Sequence, residues 1–288
     1  MAVMSTADPG ALGVLFAELI DDAALFPPGD APLVEAVPAH LTHDAGVHSG
    51  LLGRFLCPVS QLAALKPLLD EDEGLRLGLI ADTGVDGLLA AFSGVDDDDR
   101  MILEAVEIRH PGERLEDLER RLPYGVEAYI EIAPADMRSL LPTLTGRELL
   151  HAKLRTGGLS AEAFPTPLAV AEFLVGCADL EVGLKATAGL HNAVRHTDAE
   201  TGFAHHGFLN VLLAAERAGG GAEIEDVAAL LALTDGADLA ERVKALTVED
   251  TARTRDLFHG FGSCSFQEPV DDLAGLGLLP GLPTVHAG

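Results

Sequence analysis

Four lysines occur in these 288 residues, and two of them stand where a primary amine can do chemistry. Lys153 lies in the run HAKLRTGG and Lys185 in the run EVGLKATAGLH. Each follows a short apolar stretch and precedes a glycine-containing turn. The two are one strand-helix-strand unit apart. Both amines are therefore expected at the carboxyl ends of neighbouring parallel strands. A lysine inside a barrel is costly unless it is paired or neutral. Two ammonium groups side by side disfavour each other's charged form and lower each other's pKa. An amine so tuned attacks carbonyls and forms a Schiff base, whose iminium draws electrons from an adjacent carbon–carbon bond. Two other roles stay open for the same residues. Each lysine could pair with a buried carboxylate such as Glu107 or Glu131, or both could bind an anionic substrate with no covalent step.

The elements that must hold these amines are legible as an alternation. Short apolar runs occupy 53–59, 75–81, 102–108, 126–133, 150–155, 180–186 and 257–266. Amphipathic segments such as VDGLLAAFSG, GERLEDLERRL and TPLAVAEFLVGC separate them. Apolar runs alternating with helical patterns indicate βα units and a parallel sheet. The expectation is an α/β chain folded as a (β/α)8 TIM-type barrel, one domain over 1–288. Seven strands are visible. Either an eighth sits near the N-terminus, around AALFPP, or the barrel is irregular. Residues 1–50 read as a helical extension, with ALGVLFAELIDDAALF as one helix, and 190–256 as a helical insertion before the last strand. No G-x-G-x-x-G follows an early strand, so a dinucleotide site lacks its fingerprint.

Composition narrows the partners. Asp and Glu number 46 against 19 Lys and Arg, a formal charge of -27 that repels nucleic acid and anionic membranes. No apolar run looks long enough to span a bilayer. Cys57, Cys177 and Cys264 have no metal or CxxC spacing, which suits a reducing compartment. The N-terminus lacks the basic start of a signal peptide. A cytoplasmic enzyme without nucleic-acid or membrane partners is expected, and a homo-oligomer is compatible with it.

Strand carboxyl ends and the loops after them carry the chemistry of such barrels. Those positions offer Glu107, Glu131, Arg155, Thr156, Thr187, Arg195, Gly262, Ser263 and Ser265. Side chains alternate along a strand, so Lys153 and Arg155 share a face. Asp82, Arg109 and His110 also fall at run ends. His191, His196, His205 and His206 cluster after Lys185, where a general acid or base belongs. His191 is the first choice; His206 and Asn210 lie one helical turn apart and are expected to face the cleft. No zinc-ligand spacing appears among them, and neither a metal nor another cofactor is assigned. Cys264 has no local histidine pattern to make it a nucleophile.

K-L-R-T-G at 153–157 resembles the K-x-x-T-G of the deoxyribose-phosphate aldolase family, and K-A-T-A-G at 185–189 resembles its next-strand K-A-x-G-G. F-G-S-C-S-F at 261–266 is similar to that family's last-strand F-G-x-S-S, and YIEIA at 129–133 to the strand before the lysine strand. All four occur in family order and cover about a third of the chain. The resemblance implies a class I aldolase barrel in which Lys153 forms the Schiff base, Lys185 lowers its pKa, and the 261–266 turn borders a phosphate. Three departures accompany it. Glu107 stands where the family's proton-relay aspartate is expected, Arg155 is a bulky cation beside the nucleophile, and the stretch between Lys185 and Ser263 exceeds one βα unit. The combined expectation is a carbon–carbon lyase acting on a small anionic carbonyl compound. Lys153, Lys185, His191, Glu107 and Glu131 would do the chemistry. Arg155, Thr156, Thr187, Arg195, His206, Asn210 and the Gly262–Ser265 turn would bind. The rivals are a non-covalent or metal-assisted isomerase or hydrolase, and a ligand-binding barrel without catalysis.

Overall fold

The computed structural model describes residues 10–71 and 74–279. Eight parallel strands close into a barrel in the order β1, β10, β7, β6, β5, β4, β3, β2. They are β1 (Ile20–Asp22), β2 (Leu52–Pro58), β3 (Leu75–Ile80), β4 (Met101–Arg109), β5 (Glu127–Glu131), β6 (Leu150–Arg155), β7 (Leu184–Thr187) and β10 (Phe258–Ser263). A short antiparallel pair, β8 (His196–Thr197) and β9 (Ala204–His205), lies outside the barrel. This is the expected (β/α)8 architecture.

Helices surround it: α1 (Gly10–Phe16), α2 (Leu33–Asp44), α3 (Leu62–Leu65), α4 (Gly84–Asp96), α5 (Leu115–Arg121), α6 (Met137–Leu140) and α7 (Pro167–Asp179). Before the last strand come α8 (Phe208–Gly219), α9 (Ile224–Leu231), α10 (Gly236–Lys244) and α11 (Val248–Leu257); α12 (Gln267–Gly275) follows it. The 190–256 segment is thus four helices plus the β8–β9 pair, a hairpin that its helical patterning did not reveal.

The N-terminal reading needs correction. The expected helix over ALGVLFAELIDDAALF ends at Phe16, and Ile20–Asp22 becomes the missing barrel strand. Glu18 adopts a left-handed φ of 49°, which breaks the helix. Pairing with both β10 and β2 then completes the barrel ladder, and that outweighs helical spacing. The strand precedes AALFPP rather than containing it. Residues 1–9 of the supposed helical extension lie outside the described residues.

The hydrophobic core sits between strands and helices. Leu77, Val106, Ile130, Leu154, Ala186 and Phe261 belong to it. Phe261 of β10 stacks on Phe208 of α8 with centroids 5.2 Å apart. With no tryptophan and few aromatics, this layer is mostly aliphatic. The segment Ala161–Asp179 is long and apolar enough to cross a membrane by length and composition, which the sequence reading overlooked. It contains Pro165 and Pro167, and its helix α7 buries Val170, Ala171, Phe173, Leu174 and Cys177. It is thus a coat helix of the barrel.

The other face of the strands is polar and turns inward. Glu107 on β4 reaches Lys185 on β7, three strands away, which is possible only through the barrel interior. Tyr129 on β5 reaches His259 on β10 by the same route. Along β5, Glu127, Tyr129 and Glu131 occupy alternate positions and so rise through the lumen from bottom to top.

Candidate active site

A charge network drawn from five strands, β1, β4, β5, β6 and β7, fills the upper barrel. Lys153 and Lys185 are register partners on β6 and β7. The Lys185 ammonium donates to Glu107 Oε1 and to Asp21 Oδ2, both at 2.5 Å. Lys153 Nζ lies 2.6 Å from the other oxygen of Glu107 and 3.1 Å from Glu131 Oε2. One carboxylate therefore bridges two ammonium groups. Each amine has a second carboxylate of its own.

The two amines are not equivalent. Lys185 is sealed at 1% exposure and makes two aligned hydrogen bonds. Lys153 is slightly more open, at 5% exposure, and is held by ion-pair proximity, with Glu107 Oε2 lacking an aligned hydrogen-bond donor. Its second partner, Glu131, lines a cavity of about 480 Å³ at the strand carboxyl ends. Lys153 is thus the amine nearer the opening.

Burial sets the electrostatics and the ion pairs reverse it. Burial alone pushes the Glu107 carboxyl up, but Lys153 and then Lys185 outweigh it and hold it at about 2. Burial alone pulls Lys185 down, yet Asp21 and Glu107 raise it above its ordinary value. The expectation that the lysines depress each other therefore fails for Lys185. Two carboxylates at bonding distance outweigh one neighbouring ammonium. Glu131 is likewise lowered, burial being overcome by Lys153 and Arg155.

The polar wall of the cavity is Arg109, His110, Glu131, Asp136, Arg155 and Glu162, and the rest of its lining is apolar. Arg155 Nε stands 3.5 Å from Glu131 Oε1 at the rim, half-exposed. It leans over the mouth rather than into the lumen. Arg109 is 89% exposed beside the same carboxylate. The cationic rim of the cleft is therefore Arg109 and Arg155.

Other expected site residues turn out to hold the scaffold. Asn210 is fully buried; its amide donates to Leu230 O and Leu233 O and accepts from Arg195 N. His206 is buried between Pro165 O and the Arg195 guanidinium, whose Nη1 lies 3.3 Å from His206 Nδ1. Thr156 donates its hydroxyl to Ala188 O, pinning the turn after β6 to the turn after β7. Three small polar groups on helices and loops thus satisfy backbone and do not face the cleft. Thr187 ends β7 in register with Gly262 of β10.

The Gly262–Ser265 turn is already occupied in part. Ser263 donates to Ser265 O, and Ser265 Oγ accepts from Glu268 N. His191 Nδ1 lies 3.3 Å from Ser263 Oγ, 3.5 Å from Glu268 Oε2 and 3.6 Å from Cys264 Sγ. Among the described residues no hydrogen bond or ion pair joins His191 to either lysine. A carboxylate at this turn opposes an anion cradle there.

Sequence reasoning missed Asp21. Its signal was the pair Ile20–Asp21 read as helix. Arg54 N donates to Asp21 Oδ1 at 2.7 Å, which aims the other oxygen at Lys185. A Cβ on residue 53 would lie 2.2 Å from Asp21 Oδ1, so Gly53 makes room for the carboxylate. The neighbouring Asp22 turns away from the lysines to His40 Nδ1 of α2 at 3.0 Å.

Among the described residues one group has metal-ligand spacing, Glu127, His151 and His259, and it lies at the opposite end of the barrel from the lysines. The histidines after Lys185 do not form one. Comparison of the chain with protein-family models, curated proteins and solved structures finds no match.

Proposed function

We propose that the protein is a Schiff-base-forming carbon–carbon lyase acting on a small anionic carbonyl compound. The observation that carries this reading is the placement of Lys153. It is the amine nearer the opening, less tightly bonded than Lys185, with two carboxylates in reach to take and return protons. Attack of neutral Lys153 Nζ on the carbonyl carbon gives a carbinolamine, and loss of water gives the iminium. Glu131, on the cavity wall, first takes the ammonium proton that Lys153 gives up to become neutral, returns it to the departing water, and then, again a carboxylate, takes the hydroxyl proton released as the carbon–carbon bond breaks. The iminium then accepts the electron pair of the breaking bond. Lys185, held protonated by Asp21 and Glu107, keeps the pocket positive and fixes Glu107. Arg109 and Arg155 meet the anionic group at the rim. The aldolase-like motifs around Lys153 and Lys185 agree with these roles, and three free cysteines suit a cytoplasmic setting.

A second reading follows from the same ion pairs. A fully paired network is also a proton reservoir for a non-covalent isomerase, in which neither amine attacks. Incubation with a panel of small aldehydes and ketones plus borohydride, then peptide mapping, separates the two. The lyase reading expects a reduced adduct on Lys153 and none on Lys153→Arg. Turnover of a carbonyl compound without any trapped adduct favours the isomerase.

A further inference from the structure

The lower end of the barrel holds a second constellation that the lyase reading does not use. Glu127 begins β5, His151 lies at the second position of β6 and His259 at the second position of β10. One donor atom from each lies within 4.8 Å of the other two. Side chains two residues apart share a strand face, so His151 stands directly beneath Lys153 and Glu127 beneath Tyr129. Tyr129 separates the two ends: its ring lies 5.2 Å below Lys185 Nζ, and its hydroxyl points down.

The hydrogen bonds around the triad are unbalanced. Tyr129 Oη lies 2.7 Å from Glu127 Oε2 and 2.9 Å from His259 Nδ1. A carboxylate only accepts, so the single tyrosine proton goes to Glu127. His259 Nδ1 must then carry its own proton toward Tyr129. That leaves Nε2 a bare lone pair, 3.3 Å from another acceptor, the Asp256 carbonyl oxygen. Glu127 Oε1 is the other loose end. Arg54 takes Oε2 at 2.9 Å, while Oε1 faces His151 Nε2 at 3.5 Å. Gly183 keeps the space open: a Cβ there would lie 2.5 Å from His259 Nε2 and 3.0 Å from His151 Nδ1.

We propose that Glu127, His151 and His259 bind a divalent transition metal, zinc foremost, at the amino-terminal mouth of the barrel. Two imidazoles and a carboxylate suit zinc, with metal–ligand distances of about 2.0–2.2 Å. Donors at those distances from one tetrahedral ion stand about 3.4 Å from each other, and the three donor atoms here already lie within 4.8 Å of one another. Tyr129, bonded to both Glu127 and His259, orients the ligands as an outer-shell partner does. Glu127 and His259 also line a cavity of about 260 Å³, whose wall sets Glu18, Asp21 and Asp256 against Arg54, Arg76 and Arg255.

The test uses full-length, tag-free protein stripped with chelator and dialysed. Titration with zinc, read by elemental analysis after gel filtration, is expected to give one equivalent per chain. Cobalt is expected to give the visible spectrum of a low-coordinate site, abolished by zinc. His151→Ala and His259→Ala should each lose the equivalent, whereas His205→Ala in the upper loop should keep it. Should either alanine variant fail to fold, zinc-edge absorption of the wild type decides. Two imidazole ligands support the site, and one or none overturns it. No stoichiometric zinc on the wild type, or an equivalent that survives the double alanine change, also overturns it.

Discussion

Lys153 and Lys185 face each other in register across β6 and β7 and divide the two oxygens of Glu107 between them. Two positive charges on adjacent strands would repel strongly in a dry barrel. The bridging carboxylate turns that repulsion into a bound network. It also ties β4 to β6 and β7 across the lumen.

Removing the bridge exposes what it balances. Glu107→Leu leaves two buried ammonium groups with only Asp21 and Glu131 to answer them. Loss of one partner from a buried ion pair costs about 3–5 kcal/mol. Urea unfolding of Glu107→Leu should show a loss of that size. Adding Lys153→Met and Lys185→Met together with Asp21→Asn should return part of it, because the uncompensated ammonium groups leave and the buried Asp21 charge that Lys185 answered leaves with them. An undiminished Glu107→Leu midpoint would mean that water reaches the network.

Acidity gives a second handle on the same carboxylate. Glu107 titrates at about 2 in the fold, against an ordinary 4.5. A depressed carboxylate contributes stability that is fully present above its unfolded pKa and lost as pH falls through the folded value. Wild-type stability should therefore decline between about 4.5 and 2. Lys185 has the opposite sign. Its folded pKa is raised above 10.5, so its contribution is complete below that pH and fades as pH climbs through the raised value. Glu107→Gln should flatten the acid limb measured by urea unfolding. An acid limb unchanged in that variant assigns the loss to other carboxylates.

The barrel and its two lysines were readable because they depend on local pattern. Apolar runs of strand length, separated by helical spacing, require little beyond periodicity, and seven of the eight barrel strands follow from it. Asp21 was hidden because a three-residue strand carries no period of its own. It exists by pairing with β2 and β10, contacts more than thirty residues away in sequence. Asn210 and His206 misled for the related reason that helical spacing says which residues share a face, not what that face meets. Pairing of the lysines with buried carboxylates such as Glu107 and Glu131 was one of the open sequence readings, and the structure shows it; that one carboxylate bridges both amines was not legible, because the contact crosses the lumen between non-neighbouring strands. The Glu127–His151–His259 group was invisible for the same reason.

Asn210 tests this correction directly. Its amide closes three backbone hydrogen bonds between α8, the end of α9 and Arg195. Asn210→Ala orphans buried backbone groups at about 1–3 kcal/mol each. The variant should unfold at lower urea but bind substrate or anionic inhibitors as the wild type does at low temperature. A selective rise in KM with unchanged stability would return Asn210 to the cleft.

The rim arginines should behave in the reverse way. Arg155 is half-exposed and Arg109 almost wholly exposed, so neither holds much of the fold, and exposed pairs contribute only about 0–1 kcal/mol. Their charge matters to an anion entering the cavity below them. Arg155→Ala should weaken binding of a small anionic inhibitor about tenfold, the equivalent of about 1.4 kcal/mol. Arg109→Ala should do less, since its side chain lies further into solvent and is more fully screened. Raising the salt concentration should shrink both effects. Arg155→Lys should recover part of the affinity, because charge is kept while the fork geometry that matches a carboxylate or phosphate is lost. Equal affinity in wild type and Arg155→Ala at low salt would place the anion elsewhere on the barrel mouth.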